Sequence, residues 1–462
     1  MTERASARAV LTMASAGTFL VLVAFTSTVT TVAPTASALR ASAGGRTWIL
    51  SSISLGLAVA LLAAGEIADS RGRRRIFIWS TGALALTSIA GGLAPSIGAL
   101  IAARVLEGIA CAGVLASALG LIGSAFPAGR PRTHATGVWG AMIGAGIAVG
   151  PAASAALAAV ANWRTIYWVI GGLAALLVPL TRGVAESRRD AVDRRLDVPG
   201  LLIFAGAMGA LTAGMTLGRQ SWTQPATVAL LCGAAGLLVA FVIVESRVAH
   251  PLLTLSLFAR PLFIASATGA LFTGVALIAL MSILPLMTQE VLGQTALASA
   301  GILALWSVPS MIVAMQARRL PTRLGSATRL AIGFVLCGAG VALLTQLTVH
   351  VSWTQLVPGL LIAGIGSGMT NAALGRLAVE SVPSEHAAMG SGANNTARYL
   401  GGAAGIALVV AIMAAGNNAP GSIGIVHGWN LAATVAFGFC LLAAAVAAGC
   451  QHRRAAELRR SA

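Results

Sequence analysis

Long apolar segments follow one another along almost the whole chain, separated by short polar stretches. A helix needs about 20 apolar residues to cross the hydrocarbon core of a bilayer, and fourteen segments approach or exceed that length. They lie near residues 10–33, 47–64, 76–94, 98–122, 135–160, 165–181, 198–217, 226–245, 261–284, 296–316, 329–347, 354–376, 388–414 and 429–449. This pattern predicts an all-α polytopic membrane protein with fourteen transmembrane helices.

The composition supports a membrane protein over a soluble one. The 462 residues are 57% hydrophobic and 9% charged, with a mean hydropathy of +0.88, whereas soluble domains carry roughly 25% charged residues. The net charge of +17 would suggest nucleic-acid binding in a soluble chain. Here the basic residues lie in short loops, so we expect no nucleic-acid partner. The five cysteines are scattered without metal-ligand spacing, and we see no nucleophile–base pair, so we expect neither a metal nor an enzyme.

The distribution of arginine predicts the orientation. All 30 basic residues are Arg. With the N-terminus inside and the segments alternating, 24 of them fall in cytoplasmic segments, 4 in outer segments and 2 within spans. Positive residues favour the cytoplasmic side. We therefore expect a multi-pass protein of the cell membrane with both termini cytoplasmic.

A polar stretch between the sixth and seventh spans divides the chain. We predict an N-terminal six-helix bundle at 1–181, a cytoplasmic linker with two inserted transmembrane helices at 182–260, a C-terminal six-helix bundle at 261–450 and a basic cytoplasmic tail at 451–462. A weak internal repeat supports two halves, because Thr322 precedes Gly325 as Asp69 precedes Gly72.

The loop that joins the second and third spans combines glycines, acids and arginines. The residues of interest are Gly65, Glu66, Asp69, Gly72, Arg73 and Arg74. Gly65 permits close approach of a neighbouring helix, and Gly72 suits a tight turn. Asp69 can pair with an Arg or with a helix N-terminus. We predict a motif here that controls conformation on the cytoplasmic side.

Two charges lie within the fourth span. Arg104 and Glu107 are three residues apart and share one helix face. Charges at membrane depth are costly, so both should face the protein interior or water. Glu107 is the only acid in the middle of a span. A structural salt bridge and a role in proton binding both remain open.

Two other spans carry unusual residues. Span five is rich in glycine and contains Gly146, Gly150 and Pro151, which favour close helix packing and a bend. Span one carries several hydroxyls, including Thr26 and Thr30. Such hydroxyls can bind a substrate or bond back to their own helix, and both readings stay open.

These motifs together resemble the major facilitator superfamily. The order Gly-x-x-x-Asp-x-x-Gly-Arg-Arg at 65–74 resembles the loop between its second and third helices. Arg104-x-x-Glu107-Gly resembles a superfamily motif linked to proton transfer, with Glu in place of the usual Gln. Gly150-Pro151 resembles the signature of drug:proton antiporters.

The opening of span thirteen, at 392–402, extends this resemblance to the fourteen-span drug exporters. It contains Asn394, Asn395 and Arg398. Span one departs from that family, because Thr26 stands where the family has an Asp that can carry a proton.

The resemblance implies the major facilitator fold, with two six-helix bundles and two inserted helices. It implies export of small lipophilic compounds in exchange for protons, with the proton motive force as energy source and no cofactor. The expected partners are a small-molecule substrate and membrane lipid, and the expected state is a monomer. Alternatives are another substrate (a sugar, amino acid or lipid) or a facilitator without proton coupling. A receptor or a channel would be a different class.

The candidate site residues follow from the motifs and the resemblance. Candidates for proton coupling are Glu107, Arg104, Asp69 and Glu66. Candidates for the substrate cavity are Thr26, Thr30, Trp139, Asn371, Asn394, Asn395 and Arg398. No catalytic or metal-binding residue is expected.

Overall fold

The computed structural model describes residues 3–181, 186, 197–219, 221–248, 255–319, 324–415 and 421–461. This part of the chain is built from helices and contains no strand. The α-helices are α1 (Glu3–Thr26), α2 (Val32–Ala38), α3 (Ala43–Arg71), α4 (Arg73–Leu93), α5 (Ile97–Ala125), α6 (Arg130–Val160), α7 (Thr165–Leu180), α8 (Val198–Gly218), α9 (Pro225–Glu245), α10 (Pro261–Phe272), α11 (Ala279–Glu290), α12 (Ala296–Met315), α13 (Ser326–Ala342), α14 (Trp353–Glu380), α15 (Ala387–Ala415) and α16 (Ser422–Ser461). The predicted all-α class is confirmed.

Twelve helices in the described ranges are long and apolar enough to cross a membrane. One of them, Pro261–Glu290, joins α10 to α11 through a π-helical turn at Thr273–Ile278. The prediction of fourteen spans is not confirmed. Its sixth and eleventh spans correspond to the shorter helices α7 and α13, which have 16 and 17 residues.

Threonine hydroxyls mark the ends of both short helices. Thr181 donates its hydroxyl hydrogen to Val178 O at 2.6 Å, just after α7. Thr345 donates to Ala342 O at 2.7 Å, just after α13. A side chain that bonds to a carbonyl in the last turn competes with the next helical bond. Helix α13 ends at Ala342 rather than near residue 347, whereas α7 ends at Leu180, close to the predicted end at 181.

Polar side chains begin several of the long helices. Ser42 accepts from Gly45 N–H at 3.2 Å before α3, and Ser96 accepts from Ala99 N–H at 3.3 Å before α5. Before α14, Ser352 and Gln355 form a reciprocal capping box. Such caps satisfy backbone donors that the helix leaves free.

The apolar side chains form two large cores, one in each half of the chain. We call α1–α7 the N-terminal half and α10–α16 the C-terminal half. The first core contains Phe77 and Leu119, and the second contains Trp306, Phe334 and Trp429. The predicted domain boundaries stay predictions, and all but Glu186 and Asp197 of the polar stretch at 182–197 lies outside the described residues.

The helices α8 and α9 lie on one flank of the two halves. A third apolar cluster joins Leu62 of α3, Met208 of α8 and Met389 of α15. At the C-terminal end of α8, Arg219 donates to Ser51 Oγ at 2.9 Å, and burial lowers the pKa of Arg219 to about 10. Helix α8 therefore contacts both halves across the boundary between them.

Candidate functional site

Asp69 lies at the boundary between the two halves and is fully buried. Its Oδ1 accepts from Arg73 Nε at 2.7 Å and from Ala388 N–H at 3.2 Å. Its Oδ2 accepts from Met389 N–H at 2.8 Å. Ala388 and Met389 belong to the first turn of α15, where free backbone N–H groups favour an anion. One carboxylate therefore joins the C-terminal end of α3 to the N-terminal end of α15.

Arg73 adds further bonds across the same boundary. Its Nη2 donates to Ser384 O at 2.9 Å and to Glu385 O at 3.2 Å, both ahead of α15. Its Nη1 donates to Gly120 O at 3.2 Å within its own half. The side chain of Arg73 is 4% exposed. Through Arg73, the ion pair therefore connects α3, α5 and the backbone that precedes α15.

Small residues allow α3 and α15 to approach closely at this end. A Cβ added at Gly65 would lie 2.6 Å from Ala388 O, and one added at Gly392 would lie 2.5 Å from Leu61 O. Contacts this short are not compatible with a larger side chain unless the backbones separate. On the opposite flank, α6 and α12 meet through Ala141 and Ala314. The halves are thus packed together on the Asp69 side.

The chain makes the tight turn at Gly72 that the sequence predicts. Gly72 has φ 113°, a conformation that favours glycine. The carboxylate of Glu186 accepts from Arg74 N–H at 2.9 Å and from Arg75 N–H at 3.1 Å, at the start of α4. Glu66 is half-buried one turn before Asp69, and it contributes none of the bonds given above.

The second buried ion pair lies inside the N-terminal half. Glu107 Oε2 accepts from Arg104 Nη1 at 2.8 Å, and Glu107 Oε1 accepts from Ser88 Oγ at 2.6 Å. Arg104 also donates from Nη1 to Ala24 O at 2.9 Å and from Nη2 to Thr28 Oγ1 at 3.2 Å. Both charged side chains are at most 1% exposed. The predicted pairing of Arg104 with Glu107 is present, with partners on α1, α4 and α5.

A cavity lies between the two halves and holds about 820 Å³ of empty space, including the part open to solvent. The cavity is lined by Leu22, Phe25, Thr26, Val29, Leu115, Ile143, Ile147, Pro151, Thr273, Leu277, Ile278, Met281, Ser282, Leu303, Ser367, Asn371, Asn395, Arg398 and Tyr399. Most of this lining is apolar.

Four of the seven predicted cavity residues line this space, namely Thr26, Asn371, Asn395 and Arg398. Arg398 Nη1 donates to Asn371 Oδ1 at 3.0 Å. Asn395 Nδ2 donates to Ser391 O at 3.0 Å, one turn back on α15. Positions far apart in the sequence thus meet at the cavity wall.

The other three predicted cavity residues lie outside this lining. Thr30 donates to Pro151 O at 3.0 Å. Trp139 is fully buried and packs against Gly375. Asn394 donates to Ser266 Oγ at 2.9 Å.

The hydroxyl of Thr26 is used in packing between α1 and α6. It donates to Leu22 O at 2.8 Å and approaches Gly146 O at 3.3 Å. A Cβ added at Gly150 would lie 2.1 Å from Thr26 Oγ1. The glycines that precede Pro151 therefore make room for α1 inside the N-terminal half.

Sequence reasoning missed the aromatic pair and the π-helical turn in the cavity wall. Phe25 and Tyr399 pack edge to face across the two halves, with ring centroids 5.2 Å apart. The turn at Thr273–Ile278 contributes three lining residues. The position of Tyr399 beside Arg398 was an available signal for the aromatic pair. The π-helical turn has no residue pattern that distinguishes it from α-helix.

A model of one family, described as the Major Facilitator Superfamily, matches residues 14–406. The chain belongs to this superfamily. Major facilitator proteins are transporters rather than enzymes. Two solved major facilitator structures show the same fold. The human organic anion transporter MFSD10 (TETRAN) has a TM-score of 0.67 and 17% identity, covering 96% of this chain and 99% of its own. The proton:xylose symporter XylE has a TM-score of 0.64 and 13% identity, covering 95% and 96%.

Several major facilitator relatives carry names from drug resistance. The puromycin resistance protein pur8 of Streptomyces alboniger is 32% identical over 87% of this chain and 83% of its own length. The multidrug resistance protein Stp of Mycobacterium tuberculosis is 30% identical over 80% of this chain and 69% of its own length. The multidrug efflux pump LfrA of Mycolicibacterium smegmatis is 28% identical over 81% of this chain and 75% of its own length.

Proposed function

We propose that this protein exports small lipophilic compounds in exchange for protons by alternating access. The relatives support a drug exporter, since Stp, pur8 and LfrA are named for drug resistance or efflux. Proton exchange is the finer part of the proposal and rests on the motifs that resemble drug:proton antiporters. We further propose fourteen membrane helices, with α7 and α13 completing the two halves around the inserted pair α8 and α9.

One observation carries the mechanism. Asp69 and Arg73 bond to the first turn of α15 and to the backbone ahead of it, and these bonds exist only while the two halves are together on that side. Opening that side exposes a carboxylate and a guanidinium that are now almost fully buried. The interaction therefore acts as a latch on one state of the cavity.

The orientation of this latch follows from the arginine count. With 24 Arg in cytoplasmic segments and 4 outside, the Asp69 side faces the cytoplasm. The state described here is then closed to the cytoplasm. Single cysteines at Ser422 and Ser461 in a cysteine-free variant test this orientation. Only the cysteine at Ser422 should react with an impermeant thiol reagent added from outside, and reaction at Ser461 would overturn the orientation.

For coupling, we propose Glu107 as the proton-binding group. Thr26 cannot carry a proton, and Glu107 is the acid in the middle of a span. Its ion pair with Arg104 lies behind the cavity wall, so protonation would act through α1 and α5 rather than by contact with substrate. Asp69 and Glu66 are the alternative sites, and transport without proton coupling is the alternative mechanism.

The experiment uses purified protein in sealed vesicles with a trapped pH indicator. Candidate substrates come from a panel of antibiotics that inhibit an efflux-deficient host. Those against which expression of the protein protects the host are used. Adding a substrate should move protons in the opposite direction, and a protonophore should collapse the exchange. Substrate movement without proton movement would indicate a facilitator. Binding without movement of either would indicate a receptor.

A further inference from the structure

The cavity between the halves contains one charged group, the guanidinium of Arg398. This side chain is 4% exposed, and its Nη1 donates to Asn371 Oδ1. Its Nε and Nη2 have no hydrogen-bond partner within the described part of the chain. Arginine stays protonated in proteins. The cavity wall therefore holds a full positive charge whose one hydrogen-bond partner in the structure is a neutral amide.

No carboxylate balances this charge at the cavity. None of the lining residues, all of which the structure describes, is Asp or Glu. The two buried acids already described are engaged elsewhere, Asp69 with Arg73 and Glu107 with Arg104. Taking a cation out of water is costly unless another group compensates it. A ligand that brings a negative charge supplies that compensation.

Three hydroxyl groups of the cavity wall are already used as donors. Thr26, Thr273 and Ser282 each donate the hydroxyl hydrogen to a carbonyl of the same span, at 2.8, 2.8 and 2.7 Å. These oxygens keep only acceptor capacity for a ligand. Among the lining residues, Arg398 is the one whose unpartnered donors carry a charge.

We propose that the cavity selects amphipathic organic acids, in which an apolar body carries a single carboxylate or similar anion. The anion accepts hydrogen bonds from Nε and Nη2 of Arg398, and the apolar body packs against Phe25, Leu277 and Tyr399. This inference rests on the proposed export function and names its substrate class. Lipophilic cations bind poorly because they would meet an unbalanced positive charge.

The test compares three fluorescent probes with the same apolar body: 1-pyrenebutyrate, 1-pyrenebutanol and 1-pyrenebutylamine. Binding is measured on the full chain in nanodiscs of zwitterionic lipid, and the signal of empty nanodiscs is subtracted. Charge-assisted hydrogen bonds should make the acid bind about tenfold more tightly than the alcohol. The amine should bind more weakly than the alcohol.

Two variants locate the effect at Arg398. Arg398→Gln removes the charge, and Asn371→Asp leaves Arg398 in place but gives it a carboxylate neighbour at the same position. Both should reduce acid affinity about tenfold and leave alcohol affinity within about twofold. The control Arg453→Gln removes one positive charge from the exposed end of α16 and should change neither. If Arg398→Gln does not fold, the affinity of Asn371→Asp for the acid decides whether Arg398 binds the anion.

The outcomes separate this inference from the export proposal because binding needs no gradient. Equal affinity for the three probes, preference for the amine, or an acid preference that survives in the folded variants would overturn the inference. If the acid is preferred but vesicles do not export it, the inference stands and the export proposal is wrong. If vesicles export all three alike, the export proposal stands and the inference is wrong.

Discussion

Asp69 and Glu107 are both buried carboxylates paired with an Arg of the N-terminal half, but their remaining partners differ. Asp69 also binds the first turn of α15 in the C-terminal half. Glu107 binds Ser88, and its Arg104 binds α1 in the same half. Separating the halves would break the first set of bonds and leave the second intact. The contacts of Asp69 therefore depend on how the two halves are arranged, whereas those of Glu107 do not.

The largest effect is expected for Glu107→Gln. The amide keeps the shape of the side chain but cannot release a proton. We expect it to abolish proton-driven export while substrate binding and exchange down a gradient continue. Export into vesicles at several imposed pH gradients measures this. Ser88→Ala is the control, because it removes one bond to Glu107 and keeps the acid. Full pH dependence in Glu107→Gln would assign coupling to Asp69 or Glu66, or remove it altogether.

The next effect concerns Asp69→Asn, which removes the charge that holds the start of α15. Hydrogen bonds to charged groups are worth about 1.5–3 kcal/mol, so the ratio of the closed to the open state should fall by about 10- to 100-fold. Transport should fall, while its pH dependence stays unchanged. A cysteine at Ser391, which is buried against Leu115 O in the other half, should then react faster with a thiol reagent. Unchanged labelling and transport would exclude the latch.

A third variant destabilises the same closed state by adding a methyl group at the contact between α3 and α15, without changing any charge. Gly65→Ala places a methyl group 2.6 Å from Ala388 O, whereas Gly82→Ala on α4 meets nothing within 4 Å. Overpacking costs about 1–3 kcal/mol, so Gly65→Ala should slow transport several-fold and raise labelling at Ser391. The variant Gly82→Ala should do neither. Equal behaviour of the two would show that the α3–α15 contact is not limiting.

The smallest effect is expected for Thr26→Val. The hydroxyl of Thr26 bonds to carbonyls of α1 and α6, and valine keeps its shape. Transport and its pH dependence should stay within about twofold of the wild type, as for a weak bond back to the helix. A large loss of transport with normal folding would place Thr26 in direct contact with substrate.

Local patterns predicted the local contacts of this site. The spacing of Arg104 and Glu107 indicated an ion pair on one helix face, and the structure contains it. Gly72 was expected in a tight turn and has positive φ. Both features depend on residues within one turn of each other, so the sequence contains what is needed to predict them.

Contacts between distant segments were not predictable in the same way. The sequence indicated an Arg or a helix N-terminus as the partner of Asp69, but it did not indicate which helix: the donor is the backbone N–H of Ala388, 319 residues away. Trp139 was expected in the cavity, but its ring faces Gly375 instead. Apolar length placed the end of α7 within one residue but overestimated the end of α13, where Thr345 donates to Ala342 O just after the helix.

The position of α8 has a consequence for the surrounding bilayer. Because α8 covers α3 and α15, acyl chains are kept away from one of the two seams between the halves. In the described chain no further helix covers the seam between α6 and α12 in this way, and Val308, Ile312 and Met315 of α12 are exposed. The described helices therefore cover the two seams unequally, so lipid and protein meet the boundary between the halves on different flanks.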